Sequence, residues 1–446
     1  MEFKIFIRKK LFISVALCLL GIILWIFFVP ETGISQTTRN LSIYECIDIA
    51  LKKNPEIKSA KERVIRTRLQ IREAFSSILP KLSADLEYTY QDGTTLFSSF
   101  FPHNNYSFGL TLQQPIFDQG KYFILRPQAD ISIEIAELSL EASKQSIILG
   151  IIKAYINTLK ADETLAIAEE SKDRLAEHLR VTQRRFEVGQ VAKNDVLRAE
   201  MELANSESEL IHAEKALALS YEALKKIMFF EDENLSIHPI SYIHKDQRSM
   251  KEMIYNAYEK RPDYLQMVKA KELAQKGVSL AKTDFFPTIS IFGEYEKSSE
   301  HFLPDNYTSY TVGGSISVPI FEGGIRSVKL GRARHDHSLA EYKEADMKKQ
   351  VRLEVIEAFL HIEDLLATLK AIDKQIEHAQ ENMRIVKLRY QEGEATNLDV
   401  LDANLLLVKA KTDFATLNYD IMEAGFAVDK AVGNLTVENI RETLQE

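Results

Sequence analysis

The chain has 446 residues, of which 45% are hydrophobic and 27% charged, with 17 Gly and 11 Pro. That is long enough for two or more ordinary domains and too poor in Pro and Gly for a disordered chain. A formal net charge of −9 argues against nucleic acid as a partner, because binding phosphate requires a basic face.

Lys4, Arg8, Lys9 and Lys10 precede an apolar run from Leu11 to Val29, followed by Pro30 and the small residues Gly33 and Ser35. That order reads as a secretory signal over residues 1–35, cleaved before Gln36. The run is nearly long enough to span a bilayer, so an uncleaved anchor is the rival reading. Gly33 and Ser35, at the −3 and −1 positions, favour cleavage. Cys18 lies within the run, so cleavage leaves Cys46 without an intramolecular disulfide partner.

The first structural repeat is expected over 36–229: a helix, a β-hairpin at about 80–117, and a long helix pair at about 121–228. After Pro80, Leu82, Ala84, Leu86, Tyr88 and Tyr90 alternate with Ser83, Asp85, Glu87 and Thr89. The return strand sets Tyr106, Phe108, Leu110 and Leu112 against Ser107, Gly109, Thr111 and Gln113. Such alternation fits a strand crossing a bilayer, and equally a half-buried sheet in a soluble protein. In the helix pair, Val196, Leu203, Leu210, Leu217 and Leu224 recur every seven residues.

A linker at 230–249 leads to a second repeat over 250–435, with its hairpin at about 287–320 and its helix pair at about 325–433. A tail at 436–446 ends the chain. Ile289, Ile291 and Tyr295 carry the apolar face of the first strand and Glu294 lies on the other, although Phe292 interrupts that polar face. Tyr310, Val312, Ile316 and Val318 answer on the return strand. Val355, Ile362, Leu369, Ile376, Met383 and Tyr390 then hold a seven-residue spacing, as do Val400, Leu407, Phe414, Ile421 and Val428. Sustained heptads mean supercoiled helices with interlocking side chains, and the frequent Ala between them lets the helices approach closely.

The two halves are copies. Asn54-Pro55 and Pro80 answer Arg261-Pro262 and Pro287 at an offset of 207. Beyond the hairpins the offset is 204: Pro115-Ile116-Phe117-Asp118 answers Pro319-Ile320-Phe321-Glu322, and Asp195-Val196-Leu197 answers Asp399-Val400-Leu401. Two hairpins give four strands, too few to close a barrel, and open edges in hydrocarbon cost several kcal/mol per unpaired group. Further copies must supply the missing edges, and three copies make twelve strands. Asp85, Glu87 and Glu294 would then face the water-filled lumen. Tyr88, Tyr90, Tyr106, Phe108, Tyr295 and Tyr310 are the candidates for an interfacial girdle.

The doubled plan resembles the TolC family of outer-membrane efflux proteins. Its carriers are the two Pro-Ile-Phe-(Asp/Glu)-x-Gly segments and the two (Phe/Tyr)-x-x-Gly-x5-Asp-Val-Leu segments, and the likeness runs from about Leu41 to Leu435. The resemblance implies an α+β membrane protein: a homotrimer with a 12-stranded β-barrel in outer-membrane lipid and an α-helical barrel in the periplasm. It implies a periplasmic adaptor (membrane fusion) protein and an inner-membrane transporter of the RND, MFS or ABC type as partners, in efflux or type I secretion. By the same resemblance Val188, Gly189, Gln190, Val191, Glu392, Gly393, Glu394 and Ala395 are the adaptor-docking tips. Asp399 and Asp402 match the carboxylates that ring the periplasmic entrance, where mutual repulsion is expected to raise some of their pKa values. The plainer reading of these two is a solvated first turn that complements the helix dipole. Tyr390, Asp195 and the adjoining Asn194 match a latch in which a Tyr hydroxyl bonds a carboxylate, and an Arg that some relatives add to it falls at Ala395. Asn194 and Asn397 are expected to cap the returning helices.

No His-Glu-x-x-His, no Cys/His cluster at metal spacing and no phosphate-cradling loop occurs in the sequence. His335 and His337 flank Asp336, but two residues apart on a helix they point to different sides. Neither an enzyme nor a cofactor is therefore expected. A pore-free, periplasmic or membrane-anchored coiled-coil scaffold is the alternative function.

Overall fold

The computed structural model describes residues 39–90, 104–231, 235–242, 249–299 and 307–445. The expected signal lies outside the described residues, as do both hairpin tips and residues 232–234 and 243–248 of the expected linker. Met1–Asn40 and Asp232–Ser236 cluster apart as a small unit, described only over short extended stretches, and the rest forms one large unit.

The described elements begin with β1 (Arg39–Leu41), α1 (Ile43–Lys53), α2 (Pro55–Ser76), β2 (Lys81–Tyr90), β3 (Asn104–Asp118), α3 (Tyr122–Glu187) and α4 (Lys193–Met228). After β4 (Leu235–Ile237) and β5 (Ser241–Tyr242) come α5 (Met250–Lys260), α6 (Pro262–Thr283), β6 (Thr288–Ser299), β7 (Tyr307–Ser317), α7 (Ile325–Glu392) and α8 (Asn397–Ala431). α9 (Val437–Thr443) and β8 (Leu444–Gln445) complete the series. Two expectations change. Each leading helix is two helices, because Pro55 and Pro262 lack the N–H that would continue a helix and instead start one. The expected linker and tail are not plain coil: β5 pairs with β8, and Thr436 caps α9, which buries Ile440.

The duplication extends to atomic detail. Ser42 with Glu45 and Ser249 with Glu252 form reciprocal capping boxes 207 residues apart, at the starts of α1 and α5. Asn54 donates Nδ2 to the Ile227 carbonyl at 3.2 Å, and Arg261 donates Nη1 to the Ala431 carbonyl at 3.3 Å. The donors are 207 apart and the acceptors 204 apart, so each repeat ties the same two places together. Gln119, Gly120, Gly189 and Phe229 have positive φ, as do their 204-residue partners Gly323, Gly324, Gly393 and Gly433.

The hairpins join in one antiparallel sheet of order β2-β3-β6-β7. Its register sets Asp85, Gly109 and Glu296 in one cross-strand row and Ser83, Thr111, Glu294 and Thr311 in the next-but-one. One face therefore carries Asp85, Glu87, Glu294 and Glu296 among Ser and Thr. The other carries Leu82, Leu86, Phe108, Leu110, Tyr295 and Val312. Phe292, the exception on the polar face, stands opposite Gly313, where an added Cβ would lie 2.8 Å from its ring. The apolar face is uncovered: Leu86 is 76% exposed, Tyr310 78% and Val312 84%. A soluble half-buried sheet would hide these side chains, so that reading falls.

The helices carry the heptads as read. α7 has 68 residues, so it runs about 100 Å at 1.5 Å per residue. Along it Val355, Ile362, Met383 and Tyr390 are buried against α8, whose Val400, Ala403, Leu407, Ala410, Leu417, Ile421, Ala424 and Val428 are buried in return. Each large apolar side chain so buried contributes about 1.5–3 kcal/mol.

The two equivalent left-handed positions respond differently to a side chain. At Gly433 (φ +79°) an added Cβ would sit 2.7 Å from the Arg261 nitrogen, so Gly433→Ala should lose about 2 kcal/mol or more. At its counterpart Phe229, a side chain is already accommodated at φ +52°, so Phe229→Ala should stay within about 1 kcal/mol. Thermal unfolding of the two variants beside the parent checks this contrast.

Candidate functional site

Each long helix pair turns back through a short tip. Gly189 N–H donates to the Phe186 carbonyl at 2.9 Å and Gln190 N–H to Arg185 at 2.8 Å; Gly393 and Glu394 repeat this with Tyr390 (3.1 Å) and Arg389 (2.8 Å). This is the glycine-terminated helix end, with the left-handed residue free of Cβ strain. Val188, Gly189, Gln190, Glu392, Gly393 and Glu394 are exposed, while Val191 and Ala395 are half-buried.

The helix restarts depart from expectation. Ala192 and Thr396, not Asn194 and Asn397, hold the capping positions. Asp195 accepts from Ala192 N–H at 3.2 Å, and Asn194 is exposed inside the first turn. Asp399 accepts from both the Thr396 N–H and its hydroxyl at 2.7 Å each. The Thr396 backbone N–H and then its hydroxyl, with Arg389 adding, hold the Asp399 carboxyl below the usual range. Within one chain this is opposite to the rise expected from a carboxylate ring. Asp402 is exposed on the same helix face.

Asn397 serves a different purpose, which the sequence reading missed. It is buried, donates Nδ2 to the Asp195 carbonyl at 3.1 Å, and turns Oδ1 to His178 Nε2 at 2.6 Å. Because that oxygen only accepts, His178 carries its proton on Nε2. Tyr390 is likewise engaged elsewhere: its hydroxyl lies 2.9 Å from Thr182 Oγ1 and its ring 5.0 Å from that of His178. The bond expected between Tyr390 and the Asp195 carboxylate is absent, since burial against α3 points the hydroxyl away from it. Arg185 completes the site, with its guanidinium 4.7 Å over the Tyr390 ring and Nη1 donating to the Tyr390 carbonyl at 2.6 Å.

These contacts form a polar seam between the repeats, mainly between α3 and α8, with Tyr390 added from the end of α7 and the Asp195 carbonyl from the start of α4. Farther from the tip, Asn404 meets Arg174 at 2.9 Å and Ser171 at 3.3 Å, and Lys411 pairs with Glu170. Lys160 then pairs with Asp420 at 3.2 Å and Lys153 with Glu423 at 2.7 Å. The signal was present in the sequence: Asn397, Asn404 and Lys411 recur every seven residues, as do Ser171, His178 and Arg185. A search for apolar heptads passes over both series.

A family model described as outer membrane efflux protein matches residues 46–228 and 253–434. Outer membrane protein TolC of Escherichia coli (strain K12) is 25% identical over 437 residues, covering 95% of this chain and 87% of that protein. Alkaline protease secretion protein AprF of Pseudomonas aeruginosa is 21% identical over 419 residues, covering 90% of this chain and 86% of that one. Among solved structures, the Campylobacter jejuni CmeC outer membrane channel superposes with a TM-score of 0.77 at 22% identity, covering 90% of this chain and 88% of that one.

Burial pushes the His178 imidazole below its ordinary range, opposed in part by the Asn397 bond. A base whose value is lowered in the packed state takes up its proton more readily when the seam is open. The seam is thus fully stable above the ordinary value of about 6.5 and weakens as pH falls below it. Amide exchange over residues 171–185 should quicken between pH 7.5 and 5.5 after correction for intrinsic rates. His178→Gln should flatten that dependence.

Proposed function

The chain belongs to the outer membrane efflux protein family, and on that premise we propose that three copies assemble into one passive duct across the outer membrane and periplasm. The observation that carries this reading is the sheet with an uncovered apolar face and two unpaired edges, β2 and β7. Every neighbouring pair in the sheet is antiparallel, so β2 and β7 run in opposite directions. β7 of one copy can therefore continue the antiparallel ladder onto β2 of the next, and three copies close twelve strands without an edge. A pore-free scaffold would leave the apolar face in water.

In this assembly the apolar face meets lipid, and Asp85, Glu87 and Glu294 line the lumen. The long helices continue the conduit toward the inner membrane, and the exposed tips Val188–Gln190 and Glu392–Glu394, flanked by Val191 and Ala395, receive a periplasmic adaptor. An RND, MFS or ABC transporter in the inner membrane supplies the energy, and the duct itself catalyses nothing. Export of small molecules and type I secretion of proteins use the same object; the name of AprF, a secretion protein, supports including the second. Asp399 and Asp402 gather on three returning helices around the entrance, where a ring of carboxylates favours cations. The helix cap holds Asp399 in its charged form, so it contributes to that field beside Asp402. Opening separates the α7–α8 pair from α3, breaking the seam around Arg185, His178, Tyr390 and Asn397, with Asp195 and Asn194 on the adjoining turn.

Single-channel recording of the purified full-length assembly tests these roles. Asp399→Ala and Asp402→Ala should each weaken cation preference and block by multivalent cations; unchanged selectivity in both variants would sink the ring. Arg185→Ala should raise resting conductance more than Tyr390→Phe, which loses a single hydroxyl contact worth about 1 kcal/mol.

A further inference from the structure

Part of the polar seam forms the floor of a groove. α4 and α8 both pack on α3, and between them lies an open cavity of about 590 Å³. That is within the range of about 300–1,000 Å³ that small-molecule sites occupy. Its surface is largely apolar, with Ile167 and Leu175 from α3, Ala213 from α4, and Leu405 and Val408 from α8. On the α4 side stand Glu202 and Glu209, seven residues apart and therefore on one face of that helix, two turns from each other. No Lys or Arg lines the cavity. Leu405, 67% exposed, lies one turn beyond Asp402 on α8, so the groove opens on the side of the entrance carboxylates.

These surroundings select a ligand by chemistry. The two carboxylates repel anions, and with no basic side chain beside them they offer their charge to a ligand. The apolar surface favours a body that leaves water on binding. A neutral apolar molecule would use the floor and leave both carboxylates unmatched. We infer that the groove binds a lipophilic cation, an apolar body carrying one ammonium group, and that its occupation holds the entrance closed. The closing role rests on the opening proposed above. α3 and α4 carry two sides of the groove and α8 the third, and Asn404 joins them at the floor through Ser171 at 3.3 Å and Arg174 at 2.9 Å. Parting α8 from α3 splits the groove. A ligand that touches both sides therefore favours the state in which the groove is whole.

Octyltrimethylammonium is the probe, titrated calorimetrically into the full-length assembly in lipid nanodiscs, with empty nanodiscs subtracting its partition into lipid. The parent should bind it, and Glu202→Gln combined with Glu209→Gln should weaken that binding about tenfold, the worth of a charge-assisted contact. Octanol, which lacks the charge, should not distinguish the two proteins. In the parent the cation should also slow amide exchange over residues 178–185, which lie between the groove and the tip and line no part of the cavity. Equal affinity for the parent and the double variant, as binding at the entrance ring would give, overturns the site, and so does octanol bound as tightly as the cation. Binding that depends on both carboxylates but leaves exchange unchanged overturns the closing role. Trimers that fail these tests leave the duct standing. A parent chain that is a stable monomer in detergent overturns the duct and the closing role together.

Discussion

Four strands with one greasy face and two bare edges set the terms for everything else in this molecule. In hydrocarbon an unpaired backbone N–H or carbonyl costs several kcal/mol, and in water the exposed face of Leu82, Leu86, Tyr310 and Val312 is an association surface. Neither environment tolerates the sheet alone. The antiparallel order of the strands offers a resolution that requires no change in the fold, because the two free edges match each other in direction. Assembly is thus a property of the strand count.

The duplicated unit explains how so long a chain builds a regular object. Ser42–Glu45 and Ser249–Glu252 start the same helix twice, and Asn54 and Arg261 tie the same loop to the same carbonyl with different chemistry. Where the copies diverge, packing shows why. Gly433 stands where Phe229 stood because the backbone of Lys260 and Arg261 fills the space a side chain would need.

Two kinds of helix contact divide the labour along the rods. Within a repeat, apolar heptads such as Ile362, Leu407 and Ile421 join the helices through large buried side chains, each contributing about 1.5–3 kcal/mol. Between repeats, near the tips, the contact is made of hydrogen bonds worth about 0.5–1.5 kcal/mol net apiece. Water can replace those partners when the surfaces part, whereas it cannot replace buried leucine. In the proposed opening, the polar seam is accordingly where one helix pair swings from another without dismantling either.

The sequence by itself determined the duplication, the two alternating hairpins and the heptad rods, because each is a periodicity written in residue type. It also located both tips, since Gly189 and Gly393 break long helices where only glycine relaxes. The tertiary structure decided what the tip residues touch. Asn397 looks like a helix cap in sequence and becomes a buried bridge between His178 and Asp195, because Thr396 already satisfies the helix end. Tyr390 looks like the partner of a carboxylate and instead lies under Arg185 against Thr182. Local propensity fixes where a helix begins. Which side chain fills a gap between two helices whose contacting residues lie more than 200 positions apart depends on their relative rotation, and no single stretch of sequence contains it.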